Sequence, residues 1–344
     1  RLGKKQYFCG MIRGHGDDSF AYGGTIKHDF SSNVITALQP QGLLNHLQQC
    51  ISLIDHYPQP AAEQLAQDIA GKLEIGSEEV LPTNGATEAI YLVATAYSGA
   101  TSAIVEPTFS EYADACRING HKLQRIATIE DCNGDASMLW LCNPNNPTGR
   151  LTEKESLLDF ARCHRNRLIV IDQSYEHSTT GETVSAAEAV EAGNIILIHS
   201  MTKRFAIPGL RLGFVTAARH IISMLEGKKQ PWSVNALAVE AGVWLCRNAG
   251  TLDIRPYIEE CRWLQNEING IKGIKALASD TTFFLVRLDR PCSTALKERL
   301  AEEGVLVRNA NNFHSLDEHY LRIAAQEHES NVQLVKALRK CIHQ

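Results

Sequence analysis

Ser200-Met201-Thr202-Lys203-Arg204-Phe205-Ala206-Ile207-Pro208-Gly209-Leu210-Arg211-Leu212-Gly213 is the stretch on which the fold and chemistry of this chain turn. It follows Ile195-Ile196-Leu197-Ile198, an apolar run that reads as a buried strand. A lysine, two hydroxyls and an arginine therefore stand just beyond the carboxyl end of that strand. Two other stretches stand in the same relation. Asn143-Pro144-Asn145-Asn146-Pro147-Thr148-Gly149 follows Met138-Leu139-Trp140-Leu141-Cys142, and Asp172-Gln173-Ser174-Tyr175 follows Leu168-Ile169-Val170-Ile171. In open α/β sheets, ligands collect at the carboxyl ends of strands. Singly, Lys203 reads as a solvated lysine, Asp172 as a cap and the Asn-Asn-Pro-Thr-Gly run as a turn. Their shared placement is what makes a site.

Working outward, Ser102-Ala103-Ile104-Val105 is a further buried strand, and 111–119 and 152–164 have helical spacing. Thr152 with Glu155 three residues on reads as a capping box. The alternation predicts an α/β fold with a mostly parallel central sheet and helices on both faces. After about residue 240 the pattern changes to a smaller α+β unit. It comprises a long helical region to about 268, a strand at 282–286, a helix near 293–303, strands at 305–307 and 321–323, and a final helix from about 329. The expected organisation is an N-terminal arm over 1–45, packing with the small domain, a large domain over 46–240 and a small domain over 241–344.

A chain of 344 residues is long enough for two such domains. Apolar content of 44% and charged content of 21% place it among ordinary globular proteins, and a net charge of −5 gives no reason to expect nucleic acid. No apolar run is long enough to cross a bilayer, and no signal-peptide pattern is present. Ten scattered cysteines lack paired spacing and read as free thiols of the cytoplasm. Thirteen histidines show no metal-ligand spacing, so no metal is expected. The first methionine is Met11, so residues 1–10 read as a native arm or a start-site extension.

The combined groups are those needed to hold pyridoxal 5'-phosphate. Lys203 offers the Schiff-base amine and a proton shuttle. Asp172 offers a carboxylate to a protonated pyridine nitrogen. Tyr175 and Asn146 offer donors to the phenolate oxygen. Asn84-Gly85-Ala86-Thr87-Glu88 follows an apolar Val80-Leu81 and opens a helical pattern. Glycine there frees backbone amides for an anion, with Ser200, Thr202 and Arg211 completing a phosphate clamp. Tyr112 could stack on the pyridine, although on spacing alone it reads better as a core or surface aromatic. Arg322, in an apolar strand, needs an anion such as a substrate carboxylate, and Arg308 is similar.

These residues resemble the fold-type I enzymes dependent on pyridoxal phosphate, the aspartate aminotransferase superfamily, over most of the chain. The Pro-Asn-Asn-Pro-Thr-Gly loop, Ser-Met-Thr-Lys with Ile-Pro-Gly-Leu-Arg-Leu-Gly, and Tyr57-Pro58 point to the branch holding histidinol-phosphate aminotransferases and threonine-phosphate decarboxylases. Gly14-His15-Gly16, Asp29-Phe30-Ser31-Ser32-Asn33 and Gln230-Pro231-Trp232-Ser233-Val234-Asn235-Ala236-Leu237-Ala238 are more similar to the decarboxylases. The resemblance implies the roles given above for Lys203, Asp172, Asn146 and Tyr175. It also implies a phosphate cup of Gly85, Ala86, Thr87, Ser200, Thr202 and Arg211, with Tyr112 as the stacking aromatic. Tyr57 would reach the cofactor phosphate of the other subunit, which implies a homodimer. Arg322 would bind the substrate carboxylate, Arg308 the substrate phosphate, and Asn33, His15, Trp232 and Asn235 would stand on the substrate side. Gln173 departs from a common Glu without bearing on the ring, and Asp17 and Asp18 are poor company for a phosphate. The implied reaction is decarboxylation of O-phospho-L-threonine for corrinoid side-chain assembly. The alternative is transamination of histidinol phosphate or a related amine with 2-oxoglutarate.

Overall fold

The apolar runs at 101–105, 138–142, 168–172 and 195–200 lie side by side in one sheet of a computed structural model, which describes residues 18–342. In chain order, β1 (His28–Asp29) precedes α1 (Leu43–Gln49), α2 (Glu63–Leu73), β2 (Val80–Thr83), α3 (Gly85–Ala96) and β3 (Thr101–Val105). Next come α4 (Glu111–Ile118), β4 (Lys122–Ile126), β5 (Met138–Cys142), α5 (Lys154–Cys163), β6 (Leu168–Asp172) and α6 (Ala186–Ala192). β7 (Ile195–Ser200), α7 (Met201–Arg204), β8 (Gly213–Ala217) and α8 (Arg219–Glu226) complete the sheet and its cover. The chain ends with α9 (Ala236–Asn248), α10 (Arg255–Asn269), β9 (Ile274–Ala276), β10 (Phe283–Leu288), α11 (Ser293–Glu302), β11 (Val305–Leu306), β12 (Arg308–Asn309), β13 (Tyr320–Ala324) and α12 (His328–Cys341).

The large sheet has the order β2-β8-β7-β6-β5-β3-β4. β3 to β7 run parallel, and β8 alone is antiparallel to both neighbours, β2 and β7. Its central strands are largely apolar because both faces are covered, with polar residues gathered at strand ends: Thr101 and Ser102 in β3, Asp172 in β6, His199 and Ser200 in β7. Successive side chains alternate between those faces. Trp140, Val170, Ile196 and Ile198 pack with residues of α3, α4 and α8. Leu139, Leu141, Ile169, Ile171 and Leu197 pack with Leu157 and Ala161 of α5 and Ala189 of α6. A second, antiparallel sheet has the order β12-β13-β10-β9. β1 pairs in parallel with β11, and Phe30 is buried in the core of that second unit. No described helix is long and apolar enough to cross a membrane.

Three local expectations are corrected. The helical region to about 268 is two helices, α9 and α10, separated by residues 249–254. Pro256 stands in the first turn of α10, where a missing N–H costs nothing, and Asp253 accepts from the Arg255 N–H at 3.1 Å. The Thr152–Glu155 capping box does not form. Asn143 instead takes both backbone groups of Thr152, accepting from its N–H at 2.7 Å and donating to its carbonyl at 3.0 Å. Helix α5 therefore starts at Lys154 with Glu153 as its N-cap. The strand expected over 305–307 is also divided, between β11 and β12.

Gly213 marks a close approach at the start of β8. A Cβ there would lie 2.6 Å from the His199 carbonyl oxygen and 2.8 Å from the Ala86 nitrogen, both backbone atoms. Gly213→Ala is therefore expected to destabilise the chain by about 1–3 kcal/mol. Urea unfolding checks this, and an unchanged midpoint would contradict it.

Candidate active site

Register in the parallel sheet gathers the polar stretches. Cys142 pairs with Asp172, and Asp172 with Ile198, so the loops after β5, β6 and β7 leave the sheet at one edge. They meet the N-terminus of α3, residues 28–37 and β13 around a cavity of about 850 Å³. Ala86, Thr87, Tyr112, Asn146, Asp172, Tyr175, Ser200, Thr202, Lys203, Arg211, Asn33 and Arg322 all line it.

Asp172 is 4% exposed at the end of β6. It accepts from the Tyr112 hydroxyl at 2.7 Å and from the Ser174 backbone N–H at 2.8 Å. Burial pushes its carboxyl above the usual range, against these hydrogen bonds and the nearby His199. A protonated ring nitrogen is the partner that would relieve that cost. Burial also raises the hydroxyls of Tyr112 and Tyr175, which therefore stay protonated donors. The Tyr112 ring is almost fully buried and stacks on Trp140 at 6.1 Å, while Phe109 meets it edge-on at 5.9 Å.

Gly85 opens α3 at φ +75°, and a Cβ there would stand 2.8 Å from a terminal nitrogen of Arg211. Only glycine lets the guanidinium lie against the first turn of that helix. Arg211 itself holds a left-handed φ of 54°. The Ser200 and Thr202 hydroxyls stand on the adjoining turn, and Thr202 donates to the Leu212 carbonyl at 3.3 Å. Helix amides, two hydroxyls and a guanidinium form a cup suited to phosphate.

At the other side, Arg322 donates to the Asn146 side-chain oxygen at 2.6 Å and to the Ser31 carbonyl. That bond uses the carbonyl end of the Asn146 amide and leaves its NH2 end for a second acceptor. Nε of Arg322 is buried without a partner. The Asn33 amide adjoins the Tyr175 hydroxyl, but without standard hydrogen-bond geometry, so both of its polar atoms are also unpartnered. Arg308 lies directly opposite Arg322 in the antiparallel register of β12 and β13. It faces a side pocket of about 30 Å³ that shares Phe109, Asn146 and Arg322 with the main cavity. Arg308 donates to Asn312 at 2.8 Å. Burial, then Arg322, lowers its pKa to about 10, and burial lowers Arg322 as well. The orphaned Arg322 Nε and Asn33 amide donors in the cavity wall suit an anionic group. The cup, the buried carboxylate, the phenolic donors and Lys203 fit a phosphorylated pyridine aldehyde.

Three candidates are not brought to this cavity by the chain that carries them. Tyr57 is 86% exposed and packs on Trp232 at 5.5 Å. Trp232 is half exposed. Asn235 caps α9 through the Ala238 N–H at 2.9 Å and donates to the Leu210 carbonyl at 3.2 Å, so both ends of its amide are engaged. His15 lies outside the described residues. Asp18 is paired with Lys297 at 2.5 Å. Gln173 does not line the cavity and donates to the Val184 carbonyl at 2.9 Å.

Glu176 and His199 escaped the reading of the sequence. His199, in β7, is 4% exposed and stacks on Phe214 at 4.4 Å. Its Nδ1 is 3.0 Å from Glu176, and its Nε2 is 3.1 Å from the Thr216 hydroxyl. Burial alone would raise the Glu176 carboxyl, but His199 and His177 outweigh it and hold it far below the usual range. A histidine within a strand, one residue before Ser200, was the available signal.

The family model for aminotransferases of class I and II matches residues 25–338. A threonine-phosphate decarboxylase of Salmonella typhimurium is 29% identical, covering 94% of this chain and 96% of its own. A histidinol-phosphate aminotransferase of Thermoanaerobacter sp. is 28% identical, covering 88% and 90%. The crystal structure of L-threonine-O-3-phosphate decarboxylase from Porphyromonas gingivalis matches with a TM-score of 0.89 at 35% identity, over 92% of this chain and 99% of that one.

Because the folded Glu176 carboxyl titrates below its ordinary 4.5, its stabilisation is complete above that pH and is lost as pH falls through the lowered value. Glu176→Gln is expected to cost about 1–3 kcal/mol at neutral pH. The gap from the unsubstituted chain should close on acidification below about 4.5. Denaturant unfolding across the acid range checks this, and a gap that stays constant would contradict it.

Proposed function

The chain belongs to the class I and II aminotransferase family, with its fold-type I architecture and pyridoxal 5'-phosphate as cofactor, and on that premise we propose that it decarboxylates O-phospho-L-threonine to 1-amino-2-propanol phosphate. The observation that carries this reading is the pair Arg308 and Arg322, two buried guanidiniums opposite one another, Arg322 on the wall of the cavity and both on the side pocket that adjoins it. They suit a substrate with two anionic groups, a carboxylate and a phosphate. Histidinol phosphate carries only one of these, and the 2-oxoglutarate of that alternative carries two carboxylates and no phosphate. The similarity to threonine-phosphate decarboxylases over nearly the whole chain supports the same choice. The product belongs to corrinoid side-chain assembly.

The bound cofactor supplies an electron sink for the charge left at the substrate α-carbon when a bond to it breaks. Gly85, Ala86, Thr87, Ser200, Thr202 and Arg211 would hold its phosphate, Asp172 its ring nitrogen, and Asn146 and Tyr175 its phenolic oxygen. Tyr112 would flank the ring while orienting Asp172. Lys203 would bind the aldehyde carbon and, once displaced, carry a proton at Nζ to the α-carbon. Arg322, held by Asn146 and Ser31, would fix the substrate carboxylate, and Arg308 the substrate phosphate. By fixing the carboxylate, Arg322 is the group that would favour loss of carbon dioxide over loss of a proton. Asn33 would meet the substrate through its unpartnered amide.

A homodimer is part of this proposal. Leu44, Ile51, Ile54 and Tyr57 are each more than half exposed, an apolar set suited to a second copy. Tyr57 would then reach the partner's cofactor phosphate, with Trp232 beside it. Nine described cysteines are free, which supports a reducing, cytoplasmic setting.

Purified enzyme is given O-phospho-L-threonine with and without 2-oxoglutarate. Carbon dioxide and aminopropanol phosphate are expected without any oxo acid. Glutamate formed from histidinol phosphate, with no carbon dioxide from phosphothreonine, would replace this reading with an aminotransferase. Arg322→Ala is expected to lower kcat/KM on the order of 100-fold, about 2.7 kcal/mol, while keeping the cofactor's absorbance. Loss of that absorbance would move Arg322 from substrate to cofactor.

A further inference from the structure

Away from the cavity, side chains from two helices aim three metal-ligating atoms at one another. His46 is on α1, Cys50 caps its carboxyl end, and Glu240 is on α9. Nε2 of His46 lies 2.6 Å from Oε1 of Glu240 and 3.7 Å from Sγ of Cys50. All three ligand atoms fall within 4.8 Å of one another, and no other trio of His, Cys, Asp and Glu does so among the described residues. We propose that His46, Cys50 and Glu240 bind one zinc ion, with water as the fourth ligand.

Thiolate, imidazole and carboxylate together form a borderline-soft donor set that suits zinc better than calcium or magnesium. Zinc bonds of about 2.0–2.3 Å at tetrahedral angles place such atoms about 3.3–3.6 Å apart. The cysteine–histidine separation is already close to that value. The histidine–glutamate pair must open by about 0.7 Å, which a partly exposed glutamate reaches by a side-chain rotation. A surface His–Glu pair alone accounts for one contact worth at most about 1 kcal/mol and needs no thiol. The four-residue spacing puts His46 and Cys50 on the same helix face. Trp244 of α9 stacks on the imidazole at 5.9 Å and 29°, holding its plane. The carboxyl end of a helix also favours a cation. On binding, the Cys50 thiol proton and any proton on His46 Nε2 pass to solvent. The ion would tie α1 to α9 immediately before the exposed segment that leads to Tyr57.

The test uses the full-length holoenzyme. It is titrated with cobalt(II), read by the difference absorbance of the thiolate–cobalt bond, and with zinc against a chelating dye. One equivalent per chain and a thiolate band are expected. Cys50→Ser should abolish the band. Cys50→Ser and Glu240→Gln should each weaken zinc by more than the roughly 10–100-fold that loss of a metal's outer partners costs. Cys163→Ser, at an exposed cysteine outside the trio, should change neither. Retained cofactor absorbance in either ligand variant establishes an intact fold. Absence of one-equivalent binding, or affinity unchanged in both ligand variants, overturns the assignment.

Discussion

A carboxylate buried at the end of a parallel strand is the constraint from which the rest of the site follows. Asp172 loses its water when β6 is covered on both faces, and a buried carboxylate is costly unless it is paired or hydrogen-bonded. Tyr112 and Ser174 supply two hydrogen bonds, yet burial still raises the carboxyl. The remaining balance would come from the cavity side, where a protonated ring nitrogen of the cofactor would meet it. The nearby His199, itself in contact with Glu176, also opposes the effect of burial on Asp172.

The second organising contact is the reach of Arg322. It extends from β13, in the smaller sheet, to Asn146 after β5 and to the Ser31 carbonyl in the N-terminal segment. One guanidinium thus ties three distant parts of the chain at the cavity wall. Its planar fork makes such divided bonding geometrically defined. Arg308 stands opposite it in the register of β12 and β13, and in the proposed reaction the substrate's two anions would meet this pair of buried guanidiniums.

Much of this was legible before any coordinates. The strands read at 102–105, 138–142, 168–171 and 195–198 declared themselves as largely apolar runs, because strands covered on both faces have no solvent-facing side to carry polar residues. The residues after them could then be placed at one sheet edge. Local rules were weaker where long-range partners competed. Thr152 and Glu155 matched a capping box, but Asn143 took the Thr152 backbone first. Pro256, which favours the first turn of a helix, is the residue that marks the start of α10 after the break from α9. Asn235 looked like a site residue and serves as a cap.

By itself, the sequence determined the α/β class, the polar loops beyond the strands and the residue types that stand there, Lys203, Asp172 and Arg211 among them. These depend on periodicity and residue type, which are local properties. Tertiary structure alone decided that Arg308 faces Arg322, that Tyr112 bonds to Asp172, that Glu176 meets His199, and that His46 and Cys50 converge on Glu240, 194 positions from His46. Each depends on the register or packing of elements far apart in the chain. Such distances are set by how whole faces bury one another and leave no trace in the spacing of residues.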